Sequence, residues 1–278
     1  MLVSSIEDFV KYIPTAAGTT WDAIATFMYD ADAEMELMSF GTNAMSALEA
    51  LSADNDIRKI ANKIHCLLGY HHSIPFTDLI QTKTGFAVTN TGNMAPASKE
   101  RVERLIAWCD DQINTLMDLL TESIRMNSNL LSEWKKFSGY PQIFDCLFVT
   151  GIDFARSAQV EGNKRTVFLK EKPNLVSNQN NVLAPVVSKK YLAELISMVS
   201  NNNITTDAAP VITLCKQVLG QIFIKNNDNA LKTLNEISNL LESDTTKYIT
   251  YVSSPEYTLR HSANYENKQE DSTYFFGM

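Results

Sequence analysis

The chain of 278 residues has 45% hydrophobic and 20% charged side chains, which are ordinary values for a globular protein with a buried core. Its formal net charge of −8 disfavours non-specific binding to nucleic-acid phosphates, and no apolar run reaches the roughly 18 residues of a membrane span. The N-terminal residues lack the basic start and apolar centre of a signal peptide. The scattered cysteines, without CxxC spacing, predict buried thiols in a reducing compartment: Cys66, Cys109, Cys146 and Cys215.

A short helix is predicted first, over residues 6–13, with Ser4 or Ser5 as its cap and Pro14 at its end. A longer helix begins near residue 21. Its apolar side chains recur at spacings of three and four, which predicts one buried face. The residues of that face are Ile24, Phe27, Met28, Ala31, Met35 and Met38.

Two further helices complete a predicted three-helix unit over residues 21–74. A break at Phe40-Gly41 separates the long helix from a short one that ends near residue 51. The next helix is capped by Asp54 or Asp56, because a carboxylate at this position accepts from unpaired backbone N–H groups. Pro75 closes it, since proline disfavours helix in the residue before it.

Residues 77–94 change character and predict a small β-hairpin, with an ordered loop as the alternative. The strands fall near residues 79–82 and 86–89, on either side of Lys83-Thr84-Gly85. A hairpin that projects from a helical body can contact a neighbour, so Phe86 and Val88 are predicted interface residues.

The longest predicted helix starts at Ser98 and continues to about Met126, with one face apolar throughout. At 1.5 Å per residue it spans roughly 40 Å, enough to serve as a spine between two halves of the chain. Gly139 and Pro141 mark a linker after it, which places a boundary near residue 150.

A second helical unit is predicted from Asp153 to about Leu241, with breaks at Pro173 and Pro185. Its apolar positions follow those of the first unit, which predicts a duplication of one helical unit. The alternative is a chance alignment of two amphipathic helix groups. The matched positions are Asp8-Phe9 with Asp153-Phe154, Ile24 with Leu169, Phe40-Gly41 with Val187-Ser188, and Ile64 with Cys215.

From residue 245 the apolar helical period is lost, which predicts an extended C-terminal arm with short strand-like pieces. Seven aromatic side chains fall in these thirty-four residues, among many polar ones. Because aromatic side chains are favoured interface anchors, we expect the arm to dock on an adjacent subunit. The anchor is Tyr274-Phe275-Phe276. Folding back over its own helices is the alternative.

The predicted fold class is therefore mainly α, with two duplicated helical units joined by a long spine helix, a small β-hairpin and an extended C-terminal arm. The predicted domains are residues 1–96 (the N-terminal helical unit with the hairpin), 97–150 (the spine helix and linker), 151–244 (the second helical unit) and 245–278 (the interaction arm).

Two groups of side chains are candidates for chemistry. His65, His71 and His72 suggest a metal, but neighbouring histidines on a helix point about 100° apart, and no HExxH or CxxC motif supports them. We therefore predict no metal, no cofactor and no catalytic residues. The second group is an acidic strip that lines a lumen or a subunit interface, with a solvated face as the alternative: Asp30, Asp32, Glu34 and Glu36.

Several sequence pieces together resemble a known family. They are IEDFVKYIP, FMYDADAEMELMSFGTNAMSALEAL, IANKIHCLLGYHHSIP, GFAVTNTGNMAPASKERVERLIAWCDDQINTLMDLL and NYENKQEDSTYFFGM. The chain is similar to the mostly helical head-completion and neck ring proteins of Bacteroidetes phages and prophages, including crAss-like phages. It departs from them in having Ser188 opposite Gly41, and in the asparagine-rich residues 178–181.

The resemblance implies a structural virion protein that is not an enzyme and forms a ring of twelve copies in the neck between capsid and tail. Its partners are the portal protein, other neck or tail proteins, and the genome DNA that passes through the lumen without sequence-specific contact. It implies no membrane, and host cytoplasm during assembly. The alternatives are a helical adaptor or regulator that binds a host protein, and a metal-dependent enzyme centred on the three histidines.

Overall fold

The fold is seen in a computed structural model that describes residues 1–13, 18–77, 79–82, 85–88 and 98–262, with 79–82 and 85–88 described by their backbone alone. The prediction of a mainly helical chain is confirmed. Most buried side chains belong to one large core that draws on both halves of the chain. A smaller core joins the N-terminal segment to the beginning of the spine helix.

The first half, which we define as α1 to α4, packs around α4. Ser5 caps α1 by accepting from the Asp8 backbone N–H at 3.2 Å. The cap of α4 is Asn55, not the predicted Asp54 or Asp56. Its Oδ1 accepts from the Ile57 backbone N–H at 2.9 Å. The elements are α1 (Ile6–Tyr12), α2 (Trp21–Glu34), a first π-helix (Met35–Phe40), α3 (Gly41–Glu49), α4 (Asp56–Ser73) and a 3-10 turn (Ile74–Phe76).

Two short strands lie in the segment for which a hairpin is predicted. They are β1 (Leu79–Thr82) and β2 (Gly85–Val88), and they pair antiparallel with Leu79 opposite Val88. The turn between them and the residues that follow to position 97 lie outside the described residues.

The spine helix α5 (Lys99–Met126) packs against α4 on one side and against α9 (Lys164–Asn178) of the second half on the other. The Asp118 carboxylate lies inside this contact. It accepts from Arg165 Nη1 of α9 at 3.0 Å and from the Ile152 backbone N–H at 3.0 Å. Burial raises the pKa of Asp118, although Arg165 opposes the shift. The linker that follows contains α6 (Ser128–Trp134) and α7 (Tyr140–Ile143).

The second half, α8 to α13, follows a similar order. Its predicted break at Pro173 is wrong, because α9 continues through this exposed proline. Pro185 lies in the first turn of α10, where a missing N–H is tolerated. The elements are α8 (Gly151–Ser157), α9 (Lys164–Asn178), a second π-helix (Gln179–Leu183), α10 (Ala184–Val187), α11 (Lys189–Ser200), α12 (Ala208–Phe223) and α13 (Asn227–Ser243).

The described beginning of the C-terminal arm is helical, which corrects the predicted strand-like pieces. It contains α14 (Ile249–Val252) and α15 (Pro255–His261). Tyr248 and Tyr251 are buried against the chain's own helices, because two aromatic rings find more apolar contact there than in an extended arm. Residues 263–278, which include the predicted anchor Tyr274-Phe275-Phe276, lie outside the described residues.

The two halves share local features at matched positions. Thr150 caps α8 as Ser5 caps α1, and Phe9 and Phe154 are both fully buried. The sequence match of Ile24 with Leu169 is off by one residue. Ile24 is buried and Leu169 is exposed, whereas the neighbouring Phe168 is buried.

Candidate functional site

An open cleft of about 570 Å³ lies between the two halves. One wall comes from the first π-helix, the floor from α5 with Ile113 and Met117, and the opposite wall from α9 with Phe168. Three apolar side chains line it while remaining largely in solvent: Leu37 is 72% exposed, Met38 74% and Leu169 47%. Apolar groups concentrated at a concave surface are typical of a site that binds another molecule.

The first π-helix positions Leu37 and Met38. A π-helical turn contains an extra residue, so the side chains after it leave the buried stripe of the preceding α-helix. Phe40 returns to the core, with its ring centroid 5.2 Å from that of Trp134. Trp134 Nε1 donates to the Ser39 carbonyl at 2.9 Å and holds the turn in place. The expectation that Met38 lies on the buried face is therefore wrong.

The cations that line the cleft already have partners. Arg165 pairs with Asp118, as described above. Lys172 Nζ lies 2.8 Å from Asp145 Oδ1 and donates to the Ile143 carbonyl at 2.9 Å. These pairs fix the α9 wall to α5 and to the linker, so both walls of the cleft are held in place.

The four predicted acidic residues do not form one continuous strip. Asp30 is exposed, whereas Asp32 lies 3.7 Å from the Nε2 atom of the buried His65. Glu34 lines the cleft and pairs with His72 at 3.2 Å. Glu36 accepts from Thr42 Oγ1 at 2.6 Å. Glu34 and Glu36 therefore have partners within the chain, whereas the Nε2 proton of His65 is given to Met28 and not to Asp32.

The three histidines point to different partners. His65 is fully buried, and its Nε2 atom is 3.0 Å from the Met28 carbonyl, so Nε2 carries the proton. His71 pairs with Asp110 of α5 at 3.3 Å, while His72 pairs with Glu34 of α2. Within residues 1–13, 18–77 and 98–262, no three His, Cys, Asp or Glu side chains are placed to share a metal ion.

The four cysteines are free and buried. Burial raises the pKa of Cys109 and Cys146 to about 11 and that of Cys215 to about 12, and it also raises the pKa of Cys66. A thiol with such a pKa is almost entirely protonated near neutral pH, which makes it a poor nucleophile and a poor metal ligand.

The predicted interface residues are only partly within the described structure. Phe86 and Val88 lie in β2, but their side chains are outside the described part. Sequence reasoning missed Leu37, Leu169 and the cleft itself. One signal was available: Leu37 and Met38 are adjacent, and two neighbouring residues cannot both lie on one narrow helical face.

Comparison with known proteins gives one family match. Residues 20–141 match a family of unknown function, DUF6712. The matched segment runs from the cap of α2 to the second residue of α7. No curated protein matches the chain, and no solved structure matches it. Among the helices of the described residues, none is both long enough and apolar enough to cross a bilayer.

Proposed function

We propose that this chain is a structural virion protein that forms a head-tail connector ring in the neck, stacked on the portal, through which phage DNA passes. The proposal takes its biological setting from the sequence resemblance to neck ring proteins. The mainly helical architecture is compatible with it. The role is structural, in the virion neck, with host cytoplasm as the place of assembly.

The chain is proposed to contain two repeats of one helical unit. Each repeat begins with a capped seven-residue helix and continues with a long helix that ends in a π-helix. Each then passes through a residue with positive φ, Gly41 or Ser188, into a helix of the core. Gly69 and Gly220 also stand at matched positions, and each leaves room for a neighbour: the Met28 side chain beside Gly69 and the Ser157 backbone beside Gly220.

The observation that carries the ring is the unequal charge of the two halves. Residues 1–96 contain eleven acidic and five basic side chains, whereas residues 151–244 contain nine acidic and ten basic. Units with a similar plan and different charge favour a contact between the first half of one copy and the second half of the next. Such a head-to-tail contact generates a closed ring when its rotation closes.

The remaining surfaces have roles in the same proposal. The exposed Asp30 lies at the lumen or at a subunit interface, and an acidic surface there allows DNA to pass without being gripped, since each Lys or Arg contact to phosphate adds affinity. The β1–β2 hairpin, with Phe86 and Val88, contacts a neighbouring subunit, the portal or another neck or tail protein.

The test is the mass and shape of the full chain, alone and with the portal protein encoded in the same genome. Twelve copies of the 31.1 kDa chain give a particle of about 370 kDa, which native mass spectrometry and electron microscopy detect. A closed ring supports the proposal. A chain that stays monomeric in both conditions supports the adaptor alternative, and stoichiometric zinc or iron in the purified protein supports the enzyme alternative.

A further inference from the structure

We infer that the cleft between the two halves binds residues 263–278 of a second copy of this chain, with Tyr274-Phe275-Phe276 seated against Leu37, Met38 and Leu169. The inference rests on the proposed ring, and it names the contact that links one subunit to the next. Four observations support it: the open apolar rim, the contact that the segment after α13 makes with α10, the chemistry of residues 263–278, and their reach.

The rim lacks cover within the described chain. Leu37 and Met38 are each more than 70% exposed although they lie beside the buried Phe40. Leu169 faces the same cleft from α9. Covering these side chains removes apolar surface from water, which favours association. A cleft of about 570 Å³ is also large enough to hold two or three aromatic side chains.

The segment that follows α13 already contacts the second half just beyond its π-helix. Arg260 of α15 donates to the Pro185 carbonyl of α10 at 3.1 Å. The π-helix itself is held by the linker before α8, because the buried Gln179 accepts from the Leu147 backbone N–H at 2.7 Å. At the first π-helix, by contrast, Leu37 and Met38 are exposed in the described part of the chain.

Residues 263–278 have the chemistry that fits the cleft. Their aromatic side chains are Tyr265, Tyr274, Phe275 and Phe276, and their charges are three acidic against one basic. The α9 wall has the opposite balance, with four basic side chains and one acidic one: Lys164, Arg165, Lys170, Lys172 and Glu171. Arg165 and Lys172 already pair with carboxylates of this copy, so the exposed Lys164 and Lys170 are the cations that meet the acidic part of the segment while its aromatic residues enter the apolar rim.

The segment is long enough to reach another copy. Its sixteen residues span at most about 55 Å when extended. Residues 263–278 begin close to Pro185. Leu169 lies about 24 Å from Pro185, measured along α9 and the second π-helix at roughly 1.5 Å per residue. A head-to-tail ring places a neighbour's cleft within that reach. The alternative is that residues 263–278 dock in the cleft of their own copy. The cross-linking experiment described next distinguishes the two arrangements.

Disulfide trapping between two tagged full-length chains tests the inference. One chain carries Leu169→Cys and the other Phe276→Cys, and the mixture is oxidised with copper phenanthroline. The native thiols give little background because they are buried. The matched control replaces Leu169→Cys with Leu231→Cys, since Leu231 is also exposed, at 62%, but lies on α13 away from the cleft.

We expect a cross-linked heterodimer at least ten times more abundant with Leu169→Cys than with Leu231→Cys. Glu substitutions at Leu37 and Met38, which are exposed and leave the core intact, reduce that product at least ten-fold. Equal yields for the two cysteine positions overturn the inference. A further variant carries Leu169→Cys and Phe276→Cys in the same chain. A disulfide that forms only within that chain, and not between two chains, also overturns the inference. A native mass measurement on the unmodified chain shows separately whether the ring itself forms.

Discussion

Gly41 and Ser188 adopt the same unusual backbone conformation in different halves of the chain. Gly41 has φ 75° and ψ 160°, and Ser188 has φ 72° and ψ 149°. This region is accessible almost only to glycine, because a Cβ atom clashes with the backbone there. Each residue joins a π-helix region to a helix of the core, so the chain holds the same turn twice, once without strain and once with it.

The strain at Ser188 predicts that Ser188→Gly stabilises the protein. Glycine relieves a backbone strain of about 1–3 kcal/mol, and a glycine cap costs only a few tenths of a kcal/mol relative to serine. We expect a net increase of about 1 kcal/mol in the free energy of unfolding. Urea denaturation of the two proteins, compared at equal m-values, measures it.

The control is Ser188→Ala, which keeps the Cβ atom and the strain but removes the hydroxyl. Ser188 Oγ accepts from the Tyr191 backbone N–H at 3.2 Å, so its loss lowers the free energy of unfolding by about 1 kcal/mol. Gly41→Ala lowers it further, by about 2–3 kcal/mol, since a Cβ atom there comes within 2.8 Å of Phe137 as well as being strained. A destabilised Ser188→Gly variant argues against strain at this turn.

His65 makes the stability of the first half depend on pH. Burial lowers the pKa of His65, and its bond to Met28 and the nearby Asp32 only partly offset the effect. A histidine whose pKa is lower in the folded chain favours folding above its unfolded pKa of about 6.5, and it loses that contribution as the pH falls through the folded value. We expect the stability difference between wild type and His65→Gln to shrink from pH 8 to pH 5, measured by urea denaturation. A constant difference contradicts the buried neutral imidazole.

The Asp118–Arg165 pair predicts unequal effects of its two partners. Arg165→Gln leaves a buried carboxylate without its counter-charge and lowers the free energy of unfolding by about 3 kcal/mol at pH 7. Asp118→Asn leaves an arginine that is 17% exposed and keeps some water, so its cost is about 1 kcal/mol. Urea denaturation of both single variants and the double variant gives the coupling.

The pH dependence of Arg165→Gln checks the buried carboxylate of Asp118, whose pKa is shifted in the direction opposite to that of His65. Because burial raises the pKa of Asp118, its contribution to folding is fully present below its ordinary value of 3.8 and is lost as the pH rises through the folded value. The defect of Arg165→Gln therefore becomes smaller as the pH falls from 7 towards 4. Asp118→Asn has no carboxyl at this site and shows no such recovery.

The long helices were predictable from sequence because each carries an apolar stripe over several turns. This holds for α4, α5 and α12, whose buried residues recur at three and four. The π-helices could not be predicted from the sequence, since one inserted residue does not change the amino-acid composition of a helix noticeably. The C-terminal helices α14 and α15 were missed for another reason. Tyr251 of α14 and Tyr257 of α15 stand among polar residues without a helical apolar period, and the helices are held by contacts with α11 and α13.

The candidate site was less predictable than the fold. The acidic residues are close in sequence, but their partners come from other elements, as His72 does for Glu34 and Thr42 for Glu36. The cleft depends on how α9 packs against α5. The adjacent Leu37 and Met38 gave a partial signal, but the packing of α9 against α5 involves residues far apart in the sequence and leaves no local pattern.

Two truncations separate the part of the C-terminal region that belongs to the body from the part proposed to bind a neighbour. Ending the chain after Ser253 removes α15, with its Arg260 bond to Tyr251 Oη at 2.9 Å and the Tyr257 ring 5.3 Å from that of Tyr251. We expect a loss of about 2–3 kcal/mol in the free energy of unfolding. Ending it after Ser262 keeps these contacts, so stability at concentrations below assembly stays within about 0.5 kcal/mol of the full chain, while ring formation is lost. Thermal and urea unfolding measure the stability of both truncated chains, and native mass measurements show whether each forms a ring. Equal stability of the two truncations contradicts the role of α15 in the body.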